Sequence, residues 1–342
     1  MPIPLKSSSL EIFLDLLTKE RAQYEAIQSV LTDAPHAPKR IQSELQLYLT
    51  LLPSILLRID CLNRTKYRYS PQVETFLDCL KANPIHDHVA FRAICRYLKP
   101  ARSSTSQELE QMRGFVSHFL SDLRTRLLNK SVQAQITKRE RDAQDSFNRM
   151  RDYVNSLFAA HARYVVLRID LGYLKDCGVE LEQVQRDLQH LRANMRHNAI
   201  FDDLEGHIAK IEFGLDKGFH IHLLLFFDGQ KRTGFADISY AKRIGDYWVN
   251  SIAKPHGEYW NCNADKKQYQ DRGLLGIGTV NISDVQTMDN LFTIVKYFSK
   301  AKQFIKLRSN PKIRMFRTGK RLKPKTKRGA VRGVKRKRLT PS

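Results

Sequence analysis

The stretch Lys210–Asp228, K-I-E-F-G-L-D-K-G-F-H-I-H-L-L-L-F-F-D, constrains this chain more than any other. Two apolar runs flank a short segment of turn-forming residues, which predicts a β-hairpin. Asp216-Lys217-Gly218 fits a three-residue loop, with Gly218 supplying the left-handed conformation. That loop pairs Leu215 with Phe219, and therefore Glu212 with His222. Side chains alternate along a strand, so Glu212, His220 and His222 share one face. Two imidazoles and a carboxylate converging there make a candidate metal site with coordination positions open to a substrate. The plainer alternative is a hairpin whose polar residues face solvent.

A second feature lies downstream, in Met288-Asp289-Asn290-Leu291-Phe292-Thr293-Ile294-Val295-Lys296-Tyr297-Phe298-Ser299-Lys300. At helical spacing, Met288, Leu291, Phe292, Val295 and Phe298 form one apolar stripe. Tyr297 falls almost opposite it, with Lys300 one turn further on. A tyrosine on the polar face, three residues before a lysine, is placed for chemistry as readily as for snorkelling.

The formal net charge is +23 over 342 residues, and its distribution is uneven. Residues 303–342 carry 16 Lys or Arg and no Asp or Glu. A segment of that composition buries no core and reads as disordered on its own. Its sign suits a polyanion, above all nucleic acid, where each neutralised phosphate releases counterions. The five cysteines, Cys61, Cys79, Cys95, Cys177 and Cys262, are odd in number and contain no C-x-x-C pair. This argues against a disulfide framework and a cysteine zinc site, and fits a reduced cytoplasmic interior. Leu45–Leu57 is short and broken by Pro53, so no bilayer span is expected.

The order of elements predicts an α+β chain. Residues 1–130 read as a helical N-terminal region, 131–162 as a connecting helix, 163–305 as a second domain and 306–342 as a basic disordered tail. In the second domain, strand 164–170, a helix with Leu181, Val184, Leu188, Leu191 and Met195 on one side, the hairpin, helix 240–252, strand 274–282 and the Tyr297 helix follow in turn. This β-α-β-β-α-β-α order is that of a ferredoxin-like split βαβ with an antiparallel sheet, helices on one face and the other face free for a site. Tyr67, Arg68 and Tyr69 read as an exposed loop.

An H-U-H pair with an apolar middle residue, a preceding glutamate and a later Tyr-x-x-Lys helix resemble the HUH endonucleases, which initiate rolling-circle replication of phages, plasmids and small DNA viruses. More closely, five blocks resemble the prophage YagK/YfjJ C-terminal family, also called inovirus-type Gp2. They are Leu167–Tyr173, Glu212–Gly229, Ile244–Trp248, Tyr259–Asn263 and Val295–Lys300. The departure is modest: Phe298 and Ser299 stand where the family has Leu and Thr.

The resemblance implies metal-dependent nicking and joining of single-stranded DNA through a 5′-phosphotyrosine. Tyr297 is then the nucleophile, assisted by Lys300. Glu212, His220 and His222 hold a divalent metal, Mg²⁺ or Mn²⁺, which the mixed carboxylate and imidazole set also suits; Zn²⁺ fits as well. Arg168, Arg317, Lys320 and Arg321 are expected to contact DNA. The implied partners are single-stranded DNA at a replication origin and the host polymerase and helicase, with no membrane and no small-molecule cofactor. Three alternatives stand beside this reading: a relaxase-like mobilisation protein, a non-catalytic prophage DNA-binding protein, and a 2-His-1-carboxylate iron oxygenase. The last has the ligand types but not the spacing.

Overall fold

In the computed structural model the described residues are 63–83, 118–175, 177–214, 217–299, 306–308 and 314–320. A short strand β1 (Tyr67–Arg68) is followed by α1 (Pro71–Ala82), capped by Ser70, whose hydroxyl accepts from the Val73 amide. Helix α2 (118–127) leads through Asn129, an N-cap whose side chain accepts from Ser131, into the long α3 (Lys130–Ala160). Next come β2 (Arg163–Tyr173), α4 (Leu181–Asn194), β3 (Leu204–Gly214), β4 (Gly218–Asp228) and α5 (Asp237–Tyr247). A π-helical turn, Trp248–Ile252, prolongs α5. Then follow β5 (Gly257–Asn261), α6 (Lys266–Asp271), β6 (Gly278–Asn281), α7 (Val285–Ser299), β7 (Lys306–Leu307) and β8 (Phe316–Thr318).

The main sheet runs β5-β2-β4-β3-β8, with β6 paired to the other end of β2, and every pairing is antiparallel. Numbered within β2-α4-β3-β4-α5-β5, the four central strands lie in the order 4-1-3-2, as a split βαβ requires. The fourth strand is β5, however, and not 274–282. In Gly-Glu-Tyr-Trp-Asn the strand formers Tyr259 and Trp260 are outnumbered by Gly257, Glu258 and Asn261, so its strand character is weak in sequence. Of 274–282 only Gly278–Asn281 is strand. Just upstream, Gly276 lies so close to the backbone of Asn290 and Leu291 that a Cβ would stand 2.5 Å from the Leu291 nitrogen. Asn290 also donates from Nδ2 to the Gly273 and Leu275 carbonyls, holding that segment against α7 instead of the sheet.

Strand β4 is central and buried from Phe219 to Asp228, which explains its continuous apolar run. Odd-numbered residues of β2 (Val165, Leu167, Ile169, Leu171) pack with β4 residues Ile221, Leu223 and Leu225 against α4, α5 and the α1–α2 region. Even-numbered Tyr164, Val166, Ile208, Leu224 and Phe226 pack under α3 and α7. Both faces are therefore covered, unlike the expectation of one free face. The α3/α7 layer covers only the apolar half of its face; the polar half, at the other end of the same strands, carries the expected ligands. The C-terminal part of α3, from Met150 to Phe158, is thus part of the core.

Residues 67–69 do not form an exposed loop either: Tyr67 and Tyr69 are buried, and β1 pairs with β7. The sheet likewise extends into the segment read as tail, since β8 pairs with β3. Residues 1–62 and 84–117 of the N-terminal region and the residues past 320 lie outside the described residues. Among the described residues no helix is long and apolar enough to cross a membrane.

Candidate metal centre

The hairpin register places Glu212 directly across from His220, and Lys210 across from His222. Gly218 is left-handed at φ 64° and already paired to Gly214. This register differs from the expected Glu212–His222 pairing by an even step, so the period-two face survives: Glu212, His220 and His222 still point the same way. Their ligand atoms lie within 4.8 Å of one another, and all three residues are buried.

Each imidazole is oriented from behind. His222 donates from Nδ1 to Asp170 Oδ1 at 2.7 Å and from Nε2 to Glu212 Oε2 at 3.0 Å. His220 donates from Nδ1 to the Gly218 carbonyl at 3.2 Å, which turns its Nε2 toward Glu212 Oε2, 3.7 Å away. Two Nε2 atoms and one carboxylate oxygen therefore converge while both Nδ1 atoms are occupied. That is the arrangement a bound cation needs, with the outer partners fixing ring tautomer and orientation. The donor set fits a divalent metal.

The charges alternate along this array. Lys210 Nζ lies 2.8 Å from Glu212 Oε1, and Arg168 Nε lies 3.5 Å from Asp170 Oδ1. Burial alone would lower the pKa of His222, but Asp170 and Glu212 outweigh it and raise it to about 9. Burial, reinforced by the charge on His222, lowers His220 to about 4. Burial would raise Glu212 and Asp170; His222 with Lys210, and His222 with Arg168, hold these carboxylates well below their usual range instead. Burial opposes the charge of Arg168, yet Asp170 keeps that guanidinium above its ordinary value. Without a metal, the proton on His222 Nε2 lies in the position of the cation.

Helix α7 brings Tyr297 to this array. The Tyr297 ring meets His222 edge-on, centroids 5.6 Å apart, and the Phe298 ring lies 5.4 Å from His222 at 31°. Arg168 covers both, its Cζ 5.7 Å from the Tyr297 centroid and 5.8 Å from that of Phe298. Tyr297 is half-buried while Phe298 and Val295 are buried, in keeping with the expected stripe.

The other expected DNA contacts do not gather here. Arg317 sits opposite Ala209, on the α4 face of the sheet, and donates to the carbonyls of Arg314 and Phe316. Burial, then Arg192 and Arg314, lower its pKa. Lys320 is exposed at the end of the described chain. Lys300 and Arg321 lie outside the described residues.

Asp170 and Lys210 are the residues of the array that the ligand motif alone does not name. Alternation gives the signal: Arg168 and Asp170 are the polar positions on one face of β2, and Lys210 precedes Glu212 by two. Asn263 has a supporting part. Strand β2 pairs with β6 up to Val166 and with β5 from Ile169 on. Asn263 spans that gap, accepting from the Arg168 amide and donating to the Val166 carbonyl and Asp237 Oδ2. It thereby fixes the strand at the root of Arg168 and Asp170. Trp248 is fully buried and donates to the Gly172 carbonyl. One further group, His161, Glu205 and Asp228 at the opposite end of the sheet, brings three ligand atoms within 4.8 Å, a competitor that any metal titration must separate.

Residues 128–318 match the YagK/YfjJ C-terminal domain, and the match spans α3 through β8. This chain belongs to that prophage-associated family. The family unit thus includes the long helix α3 and the returning strand β8, both beyond the 163–305 boundaries read from sequence. No curated protein and no solved structure gives a match.

Proposed function

We propose that this protein is a metal-dependent, site-specific nicking and joining enzyme for single-stranded DNA, initiating rolling-circle replication of a phage or prophage. The observation that carries the reading is the convergence of both histidine Nε2 atoms on Glu212 Oε2 with Tyr297 packed against His222. A divalent cation held by Glu212, His220 and His222 would supply a Lewis acid for the scissile phosphate. Asp170 and the Gly218 carbonyl orient the two imidazoles. Arg168, paired with Asp170, keeps positive charge beside the Tyr297 ring, where a phosphate would approach. The Tyr297 phenolic oxygen attacks phosphorus, the bond from phosphorus to the 3′-oxygen breaks, and the phenolic proton is passed on to that leaving oxygen. The products are a 5′-phosphotyrosine and a free 3′-hydroxyl able to prime a host polymerase. Because the linkage preserves the phosphodiester energy, reversal rejoins strands without ATP. Lys300 is assigned to the phosphate on the strength of the Tyr-x-x-Lys spacing.

The test is incubation with single-stranded DNA from the neighbouring intergenic region, with Mn²⁺ or with EDTA, followed by a denaturing gel. A slow-migrating protein–DNA adduct that needs Mn²⁺ and disappears in Tyr297→Phe is the expected result. If DNA binds but no adduct forms under any condition, the protein is a non-catalytic DNA-binding member of its family.

A further inference from the structure

Trp260 is one of two tryptophans in the chain and is 61% exposed, whereas Trp248 is fully buried. A single exposed ring is ordinary, and Phe235 is more exposed still; what sets Trp260 apart is its place on an ordered strand beside the candidate metal centre. Its position is set by register. Trp260 pairs across from Asp170, Asp170 across from His222, His222 across from Lys210 and Lys210 across from Phe316. Cross-strand partners point to the same face, so one transverse row runs from the Trp260 edge through the metal-ligand region. Neighbouring strands are spaced by about 4.8 Å, which puts the Trp260 backbone about 10 Å from that of His222.

A groove of about 190 Å³ runs from Trp260 to the ligand His220, lined also by Asp170, Gly172, Lys217 and Glu258. Gly172 lies on the same face, and the Glu258 side chain packs over it, where a Cβ would stand 3.1 Å from Oε1. The indole is held in place: Nε1 donates to Asp265 Oδ2 at 2.9 Å. Strand β5 is the edge of its end of the sheet, so the approach is from solvent. The groove walls carry the carboxylates of Asp170 and Glu258, which repel a phosphate but not the face of a base. Lys217 at the hairpin loop supplies a cation for the backbone alongside.

We propose that Trp260 is a stacking platform for one unpaired nucleobase next to the scissile phosphate, making the groove a subsite for single-stranded nucleic acid. The assignment rests on the proposed function for its substrate class. It goes beyond it in naming the residue that distinguishes an unpaired base from a duplex, whose bases are already stacked on each other. Base–aromatic stacking contributes about 1–3 kcal/mol per base and tolerates any sequence.

The test uses the full chain in EDTA, where no cleavage is expected, with a single-stranded oligonucleotide from the adducted sequence or a mixed-sequence 12-mer as probe. Because Trp248 is buried, acrylamide-accessible emission reports on Trp260. Bound oligonucleotide should quench that emission and shield it from acrylamide; the matching duplex should do neither. Trp260→Ala should weaken single-strand binding roughly 5- to 150-fold and Trp260→Phe much less. A series of oligonucleotides with one abasic position each should contain one that lowers wild-type affinity by a similar factor yet does not lower that of Trp260→Ala, a coupling that general destabilisation would not produce. Unchanged emission at saturating single strand, or equal affinities for wild type and Trp260→Ala, would overturn the proposal. An adduct without quenching removes the stacking role and leaves the nicking reading; quenching without an adduct supports stacking and counts against nicking.

Discussion

Replacing Asp170 by Asn should change how cation affinity depends on pH more clearly than it changes the affinity at neutral pH. In the metal-free protein His222 carries both ring protons and titrates near 9. A cation must displace the proton on Nε2 to bind there. With a pKa near 9, about 1% of the sites have lost that proton at pH 7 and about half at pH 9, so wild-type affinity should rise roughly 50-fold over this range. Asp170→Asn removes the carboxylate 2.7 Å from Nδ1 and leaves Glu212 alone to hold the proton. His222 should then titrate nearer its ordinary value of about 6.5, and the affinity should change by less than about twofold between pH 7 and 9.

The same substitution weakens the partner that orients the ring, because the amide oxygen accepts from Nδ1 without the carboxylate's charge, and changes to such outer partners cost roughly 10- to 100-fold in metal affinity. At pH 7 relief from proton competition offsets that loss, and the two proteins should bind Mn²⁺ within about tenfold of each other. At pH 9 only the loss remains, and the variant should be weaker by roughly 10- to 100-fold. Anaerobic calorimetry at pH 7, 8 and 9 measures both, and pairs of buffers with different ionisation enthalpies should show about one proton released at pH 7 by the wild type only. His220→Ala, which should lose the binding, separates this site from His161, Glu205 and Asp228. Parallel pH curves for wild type and Asp170→Asn would refute the reasoning, because His222 would then not be the protonated bridge between two carboxylates.

The metal-free protein should be most stable near neutral to slightly acidic pH. The raised His222 contributes stability that is complete below its unfolded value of about 6.5 and is lost as pH rises through about 9. The lowered His220 contributes stability that is present above about 6.5 and is lost as pH falls through about 4. Melting curves in EDTA should therefore decline on both sides, and saturating Mn²⁺ should flatten the alkaline limb. His220→Ala or His222→Ala should abolish metal-dependent cleavage and Glu212→Ala should weaken it, measured as adduct yield; cleavage by the wild type that survives EDTA would exclude this role for all three. Truncation after Lys320 removes most of the basic tail and none of the described residues. It should flatten the salt dependence of single-strand binding by roughly 0.7 in log–log slope for each phosphate that the tail neutralises, with cleavage at saturating DNA retained; an unchanged slope would free the tail from any DNA role.

Much of the site is legible in the sequence because it depends on period two. Glu212, His220 and His222 share a face in either register, so misplacing the loop does not scatter them. Tyr297 and its stripe follow from helical period alone. What depends on tertiary closure is not legible. Nothing local shows that Asp170, on another strand, backs His222, or that Lys210 pairs with Glu212 instead of facing water. Strand β5 is hidden because it is only five residues long, and Gly257, Glu258 and Asn261 outweigh the strand formers Tyr259 and Trp260. Strand β8 lies in a segment whose charge reads as tail, and its pairing to β3 is made by backbone groups that composition does not reveal. The uncovered face expected for the sheet is lost because α3, which reads as a connector, packs on the apolar half of it.

The most direct measurement is mass spectrometry of the DNA-bearing peptide. After incubation with Mn²⁺ and single-stranded DNA, nuclease and protease digestion should leave a nucleotide on the phenolic oxygen of Tyr297, and only when Glu212, His220 and His222 are intact. A nucleotide on another tyrosine, such as Tyr153, Tyr173 or Tyr240, or full recovery of the Tyr297 peptide unmodified while the DNA is cut, would contradict the account.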